Sequence, residues 1–297
     1  MRVVLVWLLT CLIWGTVWLF IKLGLRDLPP LSFAGLRLAL ALCVLLPLLA
    51  LRRAPPPRTR REWALIASTG FLLLGANYAL LYWGARHISS GLTAVLQAAT
   101  PAFGLVFARR FLPGERVTAA KLAALALGVA GVAVIFSDQL RVAGWPALLG
   151  SAAVAAGAGL VALAYVLVKA HGAGLSPATL MAGQMFCGMI PLVAFGLARE
   201  GNPLSFRWTP TAALSLLYLA LAGSLAGFYL NYWLLRRMDA MKVLLMSIPE
   251  PLIAVLLGAL VLGERLTGRT AAGGALVLLS VWLALRRGGE ASPPAGA

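Results

Sequence analysis

The chain contains Gly114-Glu115-Arg116-Val117-Thr118 and, 149 positions later, Gly263-Glu264-Arg265-Leu266-Thr267. Other segments recur at nearly the same spacing. The matching pairs are Leu81-Tyr82-Trp83 with Asn231-Tyr232-Trp233, Thr100-Pro101 with Glu250-Pro251 (both offset by 150), and Lys22, Pro30 and Arg37 with Lys169, Pro177 and Gln184 (offset by 147). A near-constant spacing over four regions predicts an internal duplication, with repeats at 1–141 and 142–297.

Long apolar blocks fill both repeats, and 61% of the 297 residues are hydrophobic. A helix needs about 20 apolar residues to cross a bilayer. The ten candidate blocks are 3–25, 30–51, 63–85, 90–110, 119–137, 145–169, 176–198, 210–235, 240–262 and 270–286. We therefore expect an all-α membrane protein with ten transmembrane helices. Five helices in each repeat is an odd number, so the second repeat must be inverted, as in secondary transporters with a site between the repeats.

The formal net charge of +16 is distributed at the ends of the blocks. If the N-terminus is cytoplasmic, the cytoplasmic ends carry 16 Lys and Arg residues and the opposite ends carry 8. This bias predicts that both termini are cytoplasmic. The Arg-rich loop at 52–61 is the strongest determinant, and it is typical of a turn near anionic lipid rather than a nucleic-acid site. The bilayer and a small-molecule substrate are therefore the expected partners.

Several of these residues together resemble a known group of proteins. Trp14-Gly15, Arg37, the two prolines Pro101 and Pro251, and the paired Gly-Glu-Arg turns resemble the drug/metabolite transporter superfamily, and within it the EamA-type members. The resemblance implies ten helices with inverted pseudo-symmetry, no ATP-binding part, no cofactor, and export of small metabolites across a bacterial inner membrane. The aromatic-rich chain is further similar to bacterial exporters of amino acids, especially aromatic ones.

Glu250 is the one acidic residue that falls near the middle of a predicted span. A charge at that depth is costly, and such residues usually face a cavity and carry function. The structural alternative is a neutral Glu250 that bonds to a neighbour in a kinked packing helix. Pro101, Pro249 and Pro251 remove backbone donors, so they free carbonyls and are candidate hinges. Freed carbonyls are tolerated at depth where they line a wet cavity.

Small and polar side chains share one face of the same two predicted helices. Thr93, Gln97 and Thr100 follow a helical spacing in the first repeat, and Ser247 lies one turn before Glu250 in the second. We take these residues as candidate substrate contacts. The alternative for Gln97 and Thr93 is hydrogen bonding between helices without any substrate contact.

Aromatic residues form stripes at helical spacing. If the stripes face inward, they build a cage suited to an apolar side chain or an organic cation. The candidates are Trp14, Trp18, Tyr78, Tyr82, Tyr165, Phe228 and Tyr232, with the buried amides Asn77 and Asn231 as polar neighbours. Tyr82 and Tyr232 are equally compatible with the interfacial aromatic belt of a membrane protein.

Other polar residues favour structural roles. Arg37, about two turns into the second block, is expected to reach the membrane surface or to pair with an acid such as Asp27. Glu115 and Glu264 are expected to cap helices and pair with loop charges. Glycines in the fifth and tenth blocks predict close helix packing. The two histidines have no companions that suggest a metal site.

The sequence therefore favours a secondary carrier that exports amino acids, including large apolar ones, by alternating access. A carrier of a nucleotide-sugar or vitamin is the main alternative, although it would want more cationic phosphate contacts at mid-membrane. An intramembrane enzyme is more remote, because it would need a nucleophile–base pair or metal ligands at depth.

The charge bias generates a topology prediction. In a chain whose three native cysteines are replaced by serine, Arg58→Cys should react only with a membrane-permeant thiol reagent in intact cells, because the 52–61 loop is expected to be cytoplasmic. Gly201→Cys, on the loop expected outside, is the matched control. Labelling of position 58 by an impermeant reagent would refute the orientation.

Overall fold

The computed structural model describes residues 2–51, 55–111, 119–142, 144–172, 175–235, 237, 246 and 249–288. The helices are α1 (Arg2–Gly24), α2 (Pro30–Leu51), α3 (Arg60–Gly70), α4 (Asn77–His87), α5 (Ser90–Gln97), α6 (Thr100–Phe111), α7 (Ala119–Val142), α8 (Gly144–His171), α9 (Pro177–Glu200), α10 (Pro210–Tyr218), α11 (Gly227–Leu235), α12 (Pro249–Leu262) and α13 (Gly268–Gly288). Two π-helical segments, π1 (Phe71–Ala76) and π2 (Leu219–Ala226), join α3 to α4 and α10 to α11. These described residues form no β-strand, so the all-α expectation is confirmed for them.

Seven helical segments within the described ranges are long and apolar enough to cross a membrane. They are Arg2–Gly24, Pro30–Leu51, Arg60–His87, Ser90–Ala108, Gly144–His171, Pro177–Glu200 and Pro210–Asn231. Ala126–Ile135 and Pro249–Leu262 are apolar but shorter. A multi-pass membrane architecture follows from these segments, while the count of ten spans stays a prediction.

Local sequence signals set where several helices begin. Ser176 accepts a hydrogen bond from the backbone N–H of Thr179 at the start of α9, and Thr209 does the same for Ala212 in α10. Each of these caps is followed by a proline. Proline at the first helical position costs no hydrogen bond, because that N–H has no acceptor within the helix.

Charged side chains from distant segments satisfy other helix ends. The carboxylate of Glu200 accepts from the backbone N–H groups of Leu31 (3.0 Å) and Ser32 (2.7 Å) at the start of α2. Glu264 accepts from the Ser90 backbone N–H (2.9 Å) and hydroxyl (2.7 Å) at the start of α5. The predicted capping role of Glu264 is therefore confirmed, although the capped helix lies in the other half of the chain. Glu115 lies outside the described residues.

The sequence did not predict the two π-helical segments. The predicted continuous helices at 63–85 and 210–235 are each interrupted, and the interruptions begin 148 positions apart, at Phe71 and Leu219. Polar side chains use carbonyls in both regions: Asn77 Nδ2 donates to Leu73 O (3.1 Å), and Ser224 Oγ donates to Leu219 O (3.0 Å). Such bulges inside α-helices occur frequently at functional sites.

Glycines permit the closest helix contacts. A Cβ added to Gly131 of α7 would lie 2.6 Å from the carbonyl oxygen of Gly273 in α13. A Cβ on Gly84 of α4 would lie 2.6 Å from the carbonyl oxygen of Gly150 in α8. The first contact confirms the close packing that was predicted from the glycines of the fifth and tenth blocks.

Helix pairing brings the two halves of the chain together. Helix α2 packs along α9, α7 along α13, and α1 along α12, while α4, α5 and α6 pack on α8. In addition, α2 contacts π2 and α9 contacts π1. The largest apolar core lies among these elements and includes the fully buried Phe33, Leu38, Tyr82, Met185 and Leu219.

The Glu264 cap generates a stability prediction. Glu264→Gln keeps an acceptor oxygen but removes the charge at a helix N-terminus, so the free energy of unfolding should fall by about 1 kcal/mol. The midpoint of thermal unfolding of the purified protein in detergent measures this loss. The exposed neighbour Arg265 supplies the control Arg265→Gln. Equal midpoints for the two variants would mean that the cap adds no stability.

Candidate functional site

An arginine and two tyrosines form the polar centre of the helix bundle. Arg37 of α2 is 4% exposed. Its Nε donates to the Ser224 hydroxyl of π2, and its Nη1 donates to the Tyr82 hydroxyl of α4, both at 3.0 Å. The guanidinium carbon lies 5.2 Å from the ring centroid of Tyr78, within the range of a cation–π contact.

The expected roles of Arg37 are wrong. The side chain does not reach the membrane surface, because it is buried between α2, α4 and π2. It does not pair with Asp27 either. Asp27 instead lies 3.7 Å from Arg207 Nε and accepts a hydrogen bond from the Thr209 hydroxyl (2.7 Å). An arginine side chain is long enough to reach the membrane surface or Asp27. Packing against π2, in the other half of the chain, holds Arg37 in the interior instead.

Most of the predicted aromatic residues gather around this centre. Tyr82 is 0% exposed and packs against Phe33 and Tyr78 at centroid distances of 5.4 and 5.6 Å. Its burial excludes a place in the interfacial belt. Tyr78, Trp14, Trp18 and Phe228 are partly buried against the same apolar core.

Trp14 connects the aromatic cluster to π2. Its indole Nε1 donates to the Gly223 carbonyl (3.3 Å), and its ring meets Phe228 edge-on at 5.9 Å. A Cβ on Gly227 would collide with the indole nitrogen, so a glycine is needed for the ring to lie there. The indole nitrogen of Trp18 is enclosed without a hydrogen-bond partner among the described residues.

Three predicted aromatic and amide residues lie elsewhere or are not described. Tyr165 is 53% exposed on α8 and lies outside this core cluster. Asn231 of α11 is half-buried. The side chain of Tyr232 lies outside the described part of the chain. The roles of these three residues stay predictions.

Asn77 and Gln97 form a buried amide pair. Gln97 Nε2 donates to Asn77 Oδ1 at 3.1 Å, which joins α5 to α4. Gly157 of α8 closes the third side, where an added Cβ would lie 2.5 Å from Asn77 Oδ1. The pair uses one donor of Gln97 and one of Asn77, which leaves other polar valences of the two amides available.

The hydroxyls of Thr100 and Thr93 donate to backbone carbonyls one turn earlier in the chain. Pro101 has no N–H to donate to the Gln97 carbonyl, and the Thr100 hydroxyl donates to that carbonyl instead (2.7 Å). The Thr93 hydroxyl donates to the carbonyl of Ser89 (2.8 Å). The predicted continuous helix at 90–110 is interrupted at this point, with α5 ending at Gln97 and α6 beginning at Thr100. A hinge at Pro101 stays a prediction.

Glu250 lies in the first turn of α12, between Pro249 and the buried Pro251. Pro249 and Pro251 have no backbone N–H, so two donors that a helix start normally offers to a carboxylate are missing here. The half-buried side chain makes no hydrogen bond or ion pair with the residues that the structure describes, and it is close enough to Cys11 of α1 for an electrostatic interaction. Ser247, predicted beside it, lies outside the described residues.

Ser224 and Gly223 are neighbours of the site that the sequence did not predict. The only signal was the run of small residues at 222–224 in an otherwise bulky span, which is also typical of simple helix packing. Among the described residues, no group of three His, Cys, Asp or Glu side chains is arranged to hold a metal ion.

Comparison with known proteins assigns the family. The chain matches the EamA-like transporter family over residues 1–137 and 148–286. It belongs to the EamA-like transporter family. Relatives of this EamA-like chain include an uncharacterized transporter of Bacillus subtilis, YoaV, which is 29% identical over 92% of both chains. An uncharacterized transporter of Archaeoglobus fulgidus is 27% identical over 94% of this chain and 97% of the relative.

Another relative has a more specific name. A protein of Escherichia coli named a probable amino-acid metabolite efflux pump is 28% identical over 93% of this EamA-like chain and 92% of its own. A solved crystal structure superposes with a TM-score of 0.64 at 20% identity, covering 98% of this chain and 99% of the other, and so supports the fold alone. The EamA-like protein is therefore a membrane transporter and not an enzyme.

Glu250 generates the central prediction for this site. Glu250→Gln keeps size and removes the charge, so substrate transport by the EamA-like protein in proteoliposomes should fall by about 10-fold or more, the usual range for loss of a charged hydrogen bond. The pH dependence of transport should change as well, while the midpoint of thermal unfolding should not. Glu62→Gln, at the exposed start of α3, is the control. If Glu250→Gln transports at the wild-type rate and with the wild-type pH profile, Glu250 does not have the predicted role.

Proposed function

We propose that this protein exports amino acids across the bacterial inner membrane by alternating access, with a broad range that includes aromatic and other large apolar ones. The observation that carries the proposal is a half-buried carboxylate, Glu250, on helix α12, which packs against α1, the helix of Trp14 and Trp18. An ammonium and an apolar side chain are the two chemical groups that such a site binds. The Escherichia coli relative named for amino-acid metabolite efflux supports the same substrate class.

The proposed architecture is two inverted repeats of five spans, 1–141 and 142–297. The exchange of contacts between the halves supports it. Helices α2 and α9 correspond in the duplicated sequence and pack on each other, while α2 contacts π2 and α9 contacts π1. Such an exchange is expected of a pseudo-twofold axis in the membrane plane. In this proposal both termini are cytoplasmic.

The aromatic cluster would bind the substrate side chain. Trp14, Trp18, Tyr78 and Phe228 are partly buried, so they retain surface for a ligand, and all four pack on one core. Aromatic walls recognise ring faces and bulky apolar groups by contact area, which separates similar side chains only loosely. Broad selectivity follows from that chemistry.

The polar contacts would orient the rest of the amino acid. Glu250 would hold the ammonium, with Ser247 beside it. The Gln97–Asn77 pair, which joins α5 to α4, would offer amide groups to polar atoms of the substrate. Thr93 and Thr100 donate to backbone carbonyls, so their contribution would come through their second lone pair or their methyl groups.

Alternating access needs elements that bend at fixed points. Pro101 lies at the break between α5 and α6, and Pro249 and Pro251 begin α12. The π-helical segments supply two further points, one in each half. Helix kinks arise at prolines and π-bulges. We propose that the halves rock about these points and expose the site to one side at a time.

A carrier of nucleotide-sugars or vitamins is the rival function. A nucleotide-sugar brings at least two phosphate charges, which would require several buried cations. Arg37 is the one Lys or Arg that the structure places in the buried core among its described residues. That observation favours a substrate with at most one strong anionic group.

The aromatic cluster generates a selectivity prediction. Tyr78→Ala or Trp18→Ala should weaken transport of phenylalanine and tryptophan more than that of alanine in proteoliposomes, since each lost methylene contact is worth about 1–3 kcal/mol. Trp145→Ala, at an exposed position of α8, should leave the ratio unchanged. Equal losses for large and small substrates would assign Tyr78 and Trp18 to packing. Counterflow of sugars or nucleotides without amino-acid flux would favour the rival carrier.

A further inference from the structure

The buried guanidinium of Arg37 keeps unused hydrogen-bond donors. An arginine has five N–H groups in a fixed planar fork. Two of them are used, by the Ser224 and Tyr82 hydroxyls, and Nη2 donates to none of the described residues. Arg37 is therefore a buried cation, 4% exposed, and one end of its guanidinium fork has no acceptor among the described residues.

Among the residues that the structure describes, no carboxylate forms an ion pair with Arg37. Three described carboxylates have other partners: Asp27 contacts Arg207 and Thr209, Glu200 the start of α2, and Glu264 Ser90. Glu250 lies on α12. Tyr78, Tyr82 and Ser224 offer only ring faces and dipoles. Buried charges in proteins are normally paired, and an anion is attracted strongly to an unpaired cation where the effective dielectric is low.

One flank of the open end of the fork, at Arg37 Nη2, is formed by a glycine. Gly223 lies beside it, where an added Cβ would be 3.3 Å from Nη2. A glycine at this position keeps the approach to the fork clear.

We propose that Arg37 binds the carboxylate of the transported amino acid, with Tyr82 and Ser224 fixing the direction of the fork. This assignment rests on the proposed amino-acid export and names the anionic part of the same site. A guanidinium matches a carboxylate because two parallel N–H groups meet two oxygens. Trp14 donates to the Gly223 carbonyl (3.3 Å), so the aromatic wall begins next to the carboxylate site, where the substrate side chain would extend.

The position that corresponds to Arg37 in the second half of the chain carries an uncharged residue. Gln184 of α9 corresponds to Arg37 in the duplicated sequence, and it donates to the Thr69 hydroxyl (2.9 Å) of α3 in a fully neutral contact. The duplicated fold therefore accepts glutamine at this position. Arg37→Gln is for that reason a conservative test, because it installs the residue that the second half already uses.

The test compares ligands that differ only in their charged groups. Binding of L-phenylalanine, L-phenylalaninamide and 3-phenylpropionate to the purified full-length protein is measured by competition against radiolabelled phenylalanine and by direct calorimetry. The wild type should bind phenylalanine about 10- to 100-fold more tightly than its amide, the range for a charged hydrogen bond. It should also bind 3-phenylpropionate, which keeps the carboxylate and lacks the ammonium.

Variants then assign that preference to Arg37. Arg37→Gln should bring the ratio of acid to amide affinities close to one and abolish binding of 3-phenylpropionate. Arg37→Lys keeps the charge but loses the fork, so it should restore part of the ratio. Gln184→Met is the matched control and should leave the ratio unchanged. Tyr82→Phe, which removes one support of the fork, should reduce the ratio and provides a second variant if Arg37→Gln does not fold.

The outcomes separate the two proposals. Equal affinities of the wild type for phenylalanine and its amide overturn the carboxylate site, and so does a preference that persists in Arg37→Gln. Binding of 3-phenylpropionate that depends on Arg37, without binding or transport of any amino acid, supports the carboxylate site and overturns amino-acid export. A wild type that binds neither phenylalanine nor 3-phenylpropionate overturns both.

Discussion

A bilayer offers no hydrogen-bond partner to a polar group, and the structure depends on that constraint throughout. Carboxylates of distant chain segments accept hydrogen bonds from the first N–H groups of helices, as Glu200 does for α2 and Glu264 for α5. At the C-terminal end of a helix the charge is reversed: the cation Lys22 donates from Nζ to the carbonyls of Ala85 (2.7 Å) and Ile88 (2.6 Å) at the end of α4. Each contact satisfies a helix end and joins segments that are far apart in the chain.

The same constraint explains how the helices can be broken at depth. Pro101 removes a donor, and the adjacent Thr100 hydroxyl occupies the carbonyl that is left. The π-helical segments shift the register of backbone bonds, and Asn77 and Ser224 donate to carbonyls there. Irregular backbone inside a membrane needs such local repair. The repaired breaks lie beside the aromatic cluster, where a rocking transporter would need to bend.

Few charged groups lie in the interior among the residues that the structure describes. Arg37 is held by hydroxyls and a ring face rather than by an acid, and Glu250 lies at a helix N-terminus rather than beside a cation. Trp14 lies between the two regions along α1, through its bond to Gly223 and its membership of the apolar group around Cys11. A zwitterionic substrate would meet a cation and an anion on the two sides of an aromatic wall.

The sequence by itself determined the helical class, the membrane setting and the family resemblance, because hydropathy and short motifs are properties of the chain alone, while the duplication that it indicates stays a prediction. It also indicated Glu250, the prolines and most of the aromatic cluster, since polar or bulky residues at depth are conspicuous in one dimension. Only the tertiary structure decided the partners of Arg37, the burial of Tyr82 and the π-helical segments. Those depend on which helices meet across the two halves, and a long side chain such as arginine is compatible with several partners until packing selects one.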